Sequence, residues 1–285
     1  MLQIKNLSQV GFDTLFETFS QAFSDYEITL NRYELQKMLI RRGFDANLSF
    51  GAFDSNKLVS FTFNGIGRYN GQLTAYDTGT GTIKAYRGQG LASRVFTESI
   101  PYLVKGGITQ YLLEVLQHNE KAISVYKKLG FEVSREFNYF VNEAKMLTVT
   151  KKELSRDYTI KQITVDHLGE LTMFWDFAPS WQNCFTSIFR SQADFIVLGA
   201  YRENQLVGYG IFEPSAGDIT QLAVHKQHRR KGIGTAILGE MLSRNKHSNI
   251  KAINTEIGCE NVTQFLVANG LPLKGKQYEM VNRIK

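Results

Sequence analysis

The chain has 285 residues, 43% hydrophobic, 12% aromatic and 21% charged, with a formal net charge of +6. That length exceeds the roughly 100 to 200 residues of one ordinary domain and predicts two, and the apolar fraction supplies sizeable cores and excludes a disordered chain. The charge is spread thinly, 16 Lys and Arg against 14 Asp and Glu over residues 1–150 and 17 against 13 over 151–285, so neither half carries a nucleic-acid-binding field. The longest apolar run, Phe195 to Tyr201 with Gly199 counted in, is about seven residues against the ~20 that cross a bilayer. The amino terminus, MLQIKNLSQV, lacks a basic region followed by an apolar stretch of signal length, so the expected location is the cytoplasm, with no membrane contact. Cys184 and Cys259 stand 75 residues apart, which excludes a disulfide scaffold and a C-x-x-C zinc site, and no metal is expected.

In chain order, Ile4 to Leu7 open a strand, and helices are expected over 10–22 and 31–42. Strands follow at 48–54 and 57–66, the second placing Val59, Phe61 and Phe63 on one face by alternation. A further strand over 72–83 runs into Arg87-Gly88-Gln89-Gly90-Leu91-Ala92, then a helix over 91–104, a strand over 110–116, a helix and a Gly130-Phe131 step. Closing strands fill 131–150, and the polar run Lys151 to Asp157 suits an exposed linker, giving domains 1–150 and 151–285. The second half opens with Ile160 to Ile163, then an aromatic helical region over 167–192 whose Phe174, Trp175, Phe177, Trp181, Phe185 and Phe189 are expected in a core. Strands at 195–201, 205–212 and 218–225 lead to Arg229-Arg230-Lys231-Gly232-Ile233-Gly234, a helix over 233–243, a strand over 250–257, a helix and Gly270-Leu271. The two R-x-x-G-x-(G/A) motifs lie 142 residues apart with the same order of elements around each, which reads as a tandem duplication.

A strand that ends in a small-residue loop and starts a helix presents backbone N–H groups at the positive end of the helix dipole, and that is an anion site. Glycine there permits close approach and positive φ, and Arg87 or Arg229 to Lys231 would add charge-assisted hydrogen bonds. The denser basic run His225 to Lys231 is either such a site or a solvated turn. Neither copy is a P-loop, and Ser93 and Ile237 stand where a dinucleotide fingerprint needs its third glycine.

The strand, the R-x-x-G-x-A loop, the helix and the run from Leu112 to Phe131 (LLEVLQHNEKAISVYKKLGF) resemble the acetyl-CoA-binding core of the general-control-related N-acetyltransferases (GNAT). The resemblance covers 72–136 in detail and 217–272 more loosely. It implies two tandem α+β domains, each a mixed, mostly antiparallel sheet flanked by helices, with two central strands splayed around CoA. It implies acetyl transfer from acetyl-CoA to a primary amine of a small molecule or peptide. It implies that the pyrophosphate meets Arg87, Gly88, Gln89, Gly90, Leu91 and Ala92, and that pantetheine pairs with Gly81, Thr82 and Ile83, with Asn119 and Tyr126 near its far end. The matching positions of the second copy are Leu222, Ala223, Val224, Arg229, Arg230, Lys231, Gly232, Ile233 and Gly234.

Amide formation from a thioester needs a neutral amine, a polarised carbonyl and a proton for the departing thiolate. Tyr126, seven residues after Asn119 on one helix, is the candidate acid, its alternative being a packing tyrosine. Glu114, on the strand face of Leu112 and Leu116, is the candidate base, its alternative being a hydrogen-bond partner of nearby backbone. In the second copy the offset of 142 carries Glu114 onto Glu256 and Asn119 onto Asn261, while Tyr126 falls on Ala268, or on Leu266 when counted from the Gly-hydrophobic step. The expectation is therefore catalysis in the first domain and a second domain that keeps the fold without that chemistry. Some tandem members of the family, such as those resembling mycothiol synthase, are thought to catalyse in the carboxy-terminal half, which leaves the opposite assignment open. A non-catalytic acyl-CoA-binding module is the alternative function, and Asp25, Glu27 and Glu34 either favour a cationic acceptor or are ordinary surface acids.

Overall fold

The protein is described from a computed structural model that covers residues 2–25, 29–147, 149, 154–164 and 168–285. Glu27 and the start of the expected linker, Lys151 to Glu153, lie outside the described residues. Among the described residues no helix is long and apolar enough to cross a membrane.

Two compact units divide the chain: residues 1–135 with 278–285, and residues 136–277. The division differs from the one expected at 150, because residues 136–150 go with the second unit and the last eight residues with the first.

In the first unit, strands β1 (Leu2–Asn6), β2 (Phe50–Asp54), β3 (Lys57–Tyr69) and β4 (Gln72–Thr82) form an antiparallel meander. Helix α1 (Phe12–Ala22) buries Leu15, Phe19 and Ala22. Helix α2 (Arg32–Arg42) begins at an Asn31–Glu34 capping box and ends at Gly43, whose φ of 78° is the left-handed C-cap that glycine adopts most readily. Helix α3 (Leu91–Lys105) follows the glycine loop, and α4 (Glu120–Lys128) follows β5 (Gln110–Leu116). β5 runs parallel to β4 over only three residues, Thr74 to Tyr76 against Gln110 to Leu112, and the two strands part beyond them. The sheet is completed next to β5 by the end of the chain, the 278–283 stretch of β12 (Leu273–Arg283), whose Met280 joins Tyr111, Leu113 and Phe131 in the core.

The second unit repeats the plan. Strands β7 (Tyr158–Ile163), β8 (Ile196–Arg202), β9 (Gln205–Glu213) and β10 (Asp218–Val224) are antiparallel, and β11 (Asn249–Glu256) meets β10 in parallel only at Asp218 and Lys251. Residues 137–143 of β6 (Glu132–Glu143) pair antiparallel with β11. Helix α6 (Ile233–Ser243) follows the glycine loop and α7 (Glu260–Ala268) follows β11. The aromatic region expected to be helical over 167–192 is instead 3-10 turns at Leu168–Phe174 and Trp181–Asn183 and one short helix, α5 (Phe185–Arg190). Pro179 and the bulky rings between them give no 3.6-residue apolar period that a long helix could bury.

Candidate functional site

Each unit carries a bulge in the strand before its glycine loop, at Thr78 in β4 and at Thr220 in β10, 142 residues apart. The loops match as well. Gly88 and Gly90 have φ of 78° and 70°, and Arg230 and Gly232 have φ of 64° and 84°. A Cβ added at Gly90 or Gly232 would meet nothing within 4 Å, so the space in front of both helix starts is open. The helical ladders begin with Arg94 N–H to Gly90 O at 3.0 Å and Ala236 N–H to Gly232 O at 2.9 Å, which leaves the preceding amides at the positive end of each dipole.

The motif arginines are engaged with protein groups. Arg87 donates from Nε to Thr82 O (3.2 Å), from Nη1 to Asp25 (2.8 Å) and from Nη2 to Ala22 O (2.8 Å). Arg229 donates from Nε to Val224 O (2.9 Å) and from Nη2 to Asp176 (3.0 Å). Both are struts that tie the strand end to the segment crossing above it. Arg87 and Lys84 hold the Asp25 carboxyl below its usual range, so Asp25 is committed to this contact.

Behind the loops the units diverge. In the first, α1 packs on the sheet through Phe19, which lies 6.1 Å from Phe61 and 6.3 Å from Phe63, and the Phe23 ring lies tilted against Phe19 at 4.5 Å. A Cβ at Gly81 would come within 2.8 Å of the Phe61 ring and 2.9 Å of Ala22, so the face beside the expected pantetheine strand is filled. A small cavity of about 20 Å³ lies between β4 and β5, lined among others by Asp77, Tyr111, Tyr126 and Phe131. Tyr126 Oη donates to Asp77 Oδ2 at 3.4 Å, and Asp77 also accepts from Thr80 Oγ1 (2.8 Å) and Gly79 N–H (2.9 Å). Burial pushes the Asp77 carboxyl up to about 6 against these hydrogen bonds. Glu114 accepts from Tyr76 Oη at 2.7 Å. Asn119 caps α4 by accepting from Ala122 N–H at 3.2 Å.

In the second unit the corresponding space is a cavity of about 730 Å³. Its wall includes Leu222 to Val224, Arg229, Arg230 and Gly232 to Thr235, and it continues through the wedge to Ala252, Asn254 and Leu266. Leu222 and Val224 pack with the α6 side of the sheet, whereas Tyr209 and Ala223 pack with Phe174 and Trp175 on the other. The cavity thus joins an anion-binding end at α6 to an aromatic and amide end formed by Phe174, Trp175, Phe177, Asn183, Tyr209 and Gln221. Arg230, exposed and in the left-handed region, brings a cation to the first end. Beside that loop His228 is held below the usual imidazole range, by burial first and then by Lys231, His225 and Arg202.

The structure also changes the internal alignment. Asn119 N–H bonds to Leu116 O and Cys259 N–H to Glu256 O, so beyond β5 and β11 the repeat offset is 140, not 142. Glu114 therefore corresponds to Asn254 and Asn119 to Cys259, correcting Glu256 and Asn261, and Tyr126 corresponds to Leu266. Phe174, Trp175 and Phe177 line the cavity rather than only filling a core. Sequence reasoning passed over Asp176, Asn183, Tyr209 and Gln221. Only Asp176 left a signal, since it precedes Arg229 much as Asp25 precedes Arg87.

A sequence profile described as the acetyltransferase (GNAT) family matches residues 12–131 and again 160–263. The chain belongs to the GNAT acetyltransferase family, with two such domains in tandem. It is similar to the N-alpha-acetyltransferase MAK3 of Arabidopsis thaliana, 31% identical over 96 residues that make up 33% of this chain and 50% of the relative. It is also similar to the mycothiol acetyltransferase of Corynebacterium efficiens, 30% identical over 82 residues, 29% of this chain and 27% of that one. The chain thus spans half or less of the length of these two curated relatives. A tandem GNAT protein from the clavulanic acid biosynthesis pathway shares the fold over 100% of this chain and 99% of its own, with a TM-score of 0.75 at 11% identity.

Proposed function

We propose that the protein is an acyltransferase that uses acetyl-CoA in its second unit and acetylates a primary amine of a small molecule or peptide. The observation that carries this reading is the cavity of about 730 Å³ in the second unit, which runs from the Arg229 to Thr235 loop along Leu222 to Val224 into the wedge, whereas Phe61 and Ala22 crowd the matching strand end at Gly81 in the first. Fit to the cofactor is supported at three places along one cavity. The amides from Gly232 to Thr235 and the Arg230 guanidinium suit a pyrophosphate, the edge of Leu222 to Val224 suits the pantetheine amides, and the wedge admits the thiol end. Bound acetyl-CoA supplies an activated carbonyl and a thiolate leaving group.

The chain's own part is positioning. Leu266 and Ala268 supply no proton donor where Tyr126 stands in the first unit, so no tyrosine on α7 serves as the acid. What remains is to hold the neutral amine beside the carbonyl and polarise that carbonyl with backbone N–H groups, so that as the C–N bond forms and the C–S bond breaks the proton lost by the amine passes to the departing thiolate. The resemblance to an N-alpha-acetyltransferase favours an α-amino group as acceptor. The first unit, with its wedge occupied by Tyr126 and Asp77, serves as a structural partner domain in this reading rather than as the catalytic one.

The test is release of CoA thiol from acetyl-CoA with amino acids, peptides, polyamines and aminoglycosides as acceptors. Tyr126→Phe is expected to keep turnover within about twofold, and Gly232→Trp to lower it at least about a hundredfold. Loss of turnover in Tyr126→Phe with Gly232→Trp active would reverse the assignment, and tight acetyl-CoA binding without turnover on any amine would favour a binding module.

A further inference from the structure

We infer that Gln221 selects the acceptor of the second unit and that this acceptor carries a carboxamide or peptide group next to its amine. The inference rests on the reading that the second-unit cavity is the acetyl-transfer site. Gln221 follows the β10 bulge and pairs in register with Ile211, two residues from the Tyr209 and Ala223 pair, so all four side chains share the face away from α6.

Three hydrogen bonds fix the amide. Trp175 Nε1 donates to Tyr209 Oη, Tyr209 Oη donates to Gln221 Oε1, and Gln221 Nε2 donates to Asn183 O, each at 2.6 Å. The orientation follows from the chemistry of the ends. An indole N–H only donates, so the phenol oxygen must accept it and send its single proton on to an oxygen. A backbone carbonyl only accepts, so the other arm of Gln221 must be its NH₂. Tyr209 is fully buried, and burial raises its phenol well above the usual range, so it stays protonated and keeps this polarity.

With those bonds made, Gln221 retains one N–H and acceptor capacity on Oε1, and no further partner is present among the described residues. The side chain is 8% exposed and lines the cavity. A buried donor and acceptor held in one plane match a ligand amide, which offers the complementary pair, and a hydrocarbon amine would leave both unsatisfied. Tyr209 is then a positioning residue that acts through Gln221 and through Trp175, whose ring meets Phe185 at 5.3 Å.

The probes are L-alaninamide and its hydrocarbon isostere 3-methyl-2-butylamine, with rates referred to the neutral amine and acetyl-CoA affinity measured in parallel by calorimetry. The wild type is expected to show kcat/KM for alaninamide at least about tenfold above the isostere. Gln221→Leu is expected to bring the two within about twofold while acetyl-CoA affinity stays within about twofold. Tyr209→Phe, which leaves the glutamine in place but frees its orientation, is expected to raise KM for alaninamide with little change in kcat. Unchanged discrimination in Gln221→Leu, or a wild type that prefers the isostere or turns over neither probe, overturns the inference. A wild type that binds no acetyl-CoA overturns instead the reading beneath it.

Discussion

Arg229 holds Asp176 at 3.0 Å from its Nη2 and the carbonyl of Val224 at 2.9 Å from its Nε, and Arg87 makes the same pair of contacts with Asp25 and Thr82. The arginine of the R-x-x-G-x-(G/A) motif therefore closes the strand end against a segment 53 residues upstream in one unit and 62 in the other. Arg229→Lys keeps the charge but loses the fork that reaches both partners. The expected cost is about 1 to 2 kcal/mol of stability, read by thermal unfolding, with acetyl-CoA affinity falling less than about threefold. A phosphate ligand would show the reverse, a large loss of affinity with an unchanged midpoint.

Arg230 sits at φ 64°, where the first unit uses Gly88 at 78°. A side chain in that region costs roughly 1 kcal/mol, and in the proposed site the cation it brings to the loop offsets that cost. Arg230→Gly should leave stability level or up by less than about 1 kcal/mol. Acetyl-CoA affinity should fall about tenfold at low salt and less as salt rises, checked by calorimetry at two ionic strengths.

Asp77, pushed up to about 6 by burial, gives the first unit a pH dependence of known sign. A carboxyl raised in the folded state binds more protons there than in the unfolded chain between pH 4 and 6, so its contribution is full below about 4 and lost as pH rises through about 6. The size is on the order of 2 kcal/mol after allowing for its partial exposure to solvent. Asp77→Asn should remove that slope, seen as a growing stability advantage of the variant over wild type from pH 4 to 7.

Glu279 accepts from Arg135 Nε at 2.9 Å and from its Nη2 at 2.6 Å, and Arg135 Nη2 also donates to Tyr69 Oη at 2.6 Å, all inside the first unit. The Glu279 side chain is 5% exposed. Breaking such a pair from one side leaves a buried charge, so Glu279→Ala should cost about 3 to 5 kcal/mol. Removing residues 278–285 should unfold the first unit outright, because Met280 and Ile284 leave its core with them. Chemical denaturation followed by circular dichroism distinguishes the two.

Much of the fold was legible because it is written locally. Alternation gave β3, the Asn31–Glu34 pair marks the start of α2, and the paired glycine loops announce two copies of one plan. What escaped was long-range or volumetric. β6 and β12 have similar alternating character, and nothing in either says which sheet each completes, so the boundary near 150 missed that residues 136–143 and 278–283 close different units. An arginine in a glycine loop resembles a phosphate ligand until Asp25 and Asp176 are seen beside it. The shift in repeat offset arises between the glycine loop and β11, where α6 has 11 residues against the 15 of α3, and helix length is not written in the motif spacing. Tyr126 fits the family position in sequence, yet the room a cofactor needs depends on how Phe19, Phe61, Tyr111 and Asp77 fill space together, which no single position encodes.

The central claim is that acetyl-CoA enters the second unit and not the first, and calorimetric titration of the full chain with its two loop variants tests it most directly. Neither Gly90→Trp nor Gly232→Trp meets an atom within 4 Å at its Cβ, so each costs only the roughly 1 to 2 kcal/mol of a positive-φ side chain and stays folded. The account predicts one acetyl-CoA per chain, affinity within about twofold of wild type in Gly90→Trp and at least about a tenfold loss in Gly232→Trp. Two sites per chain, or a loss in Gly90→Trp with Gly232→Trp unaffected, would contradict it.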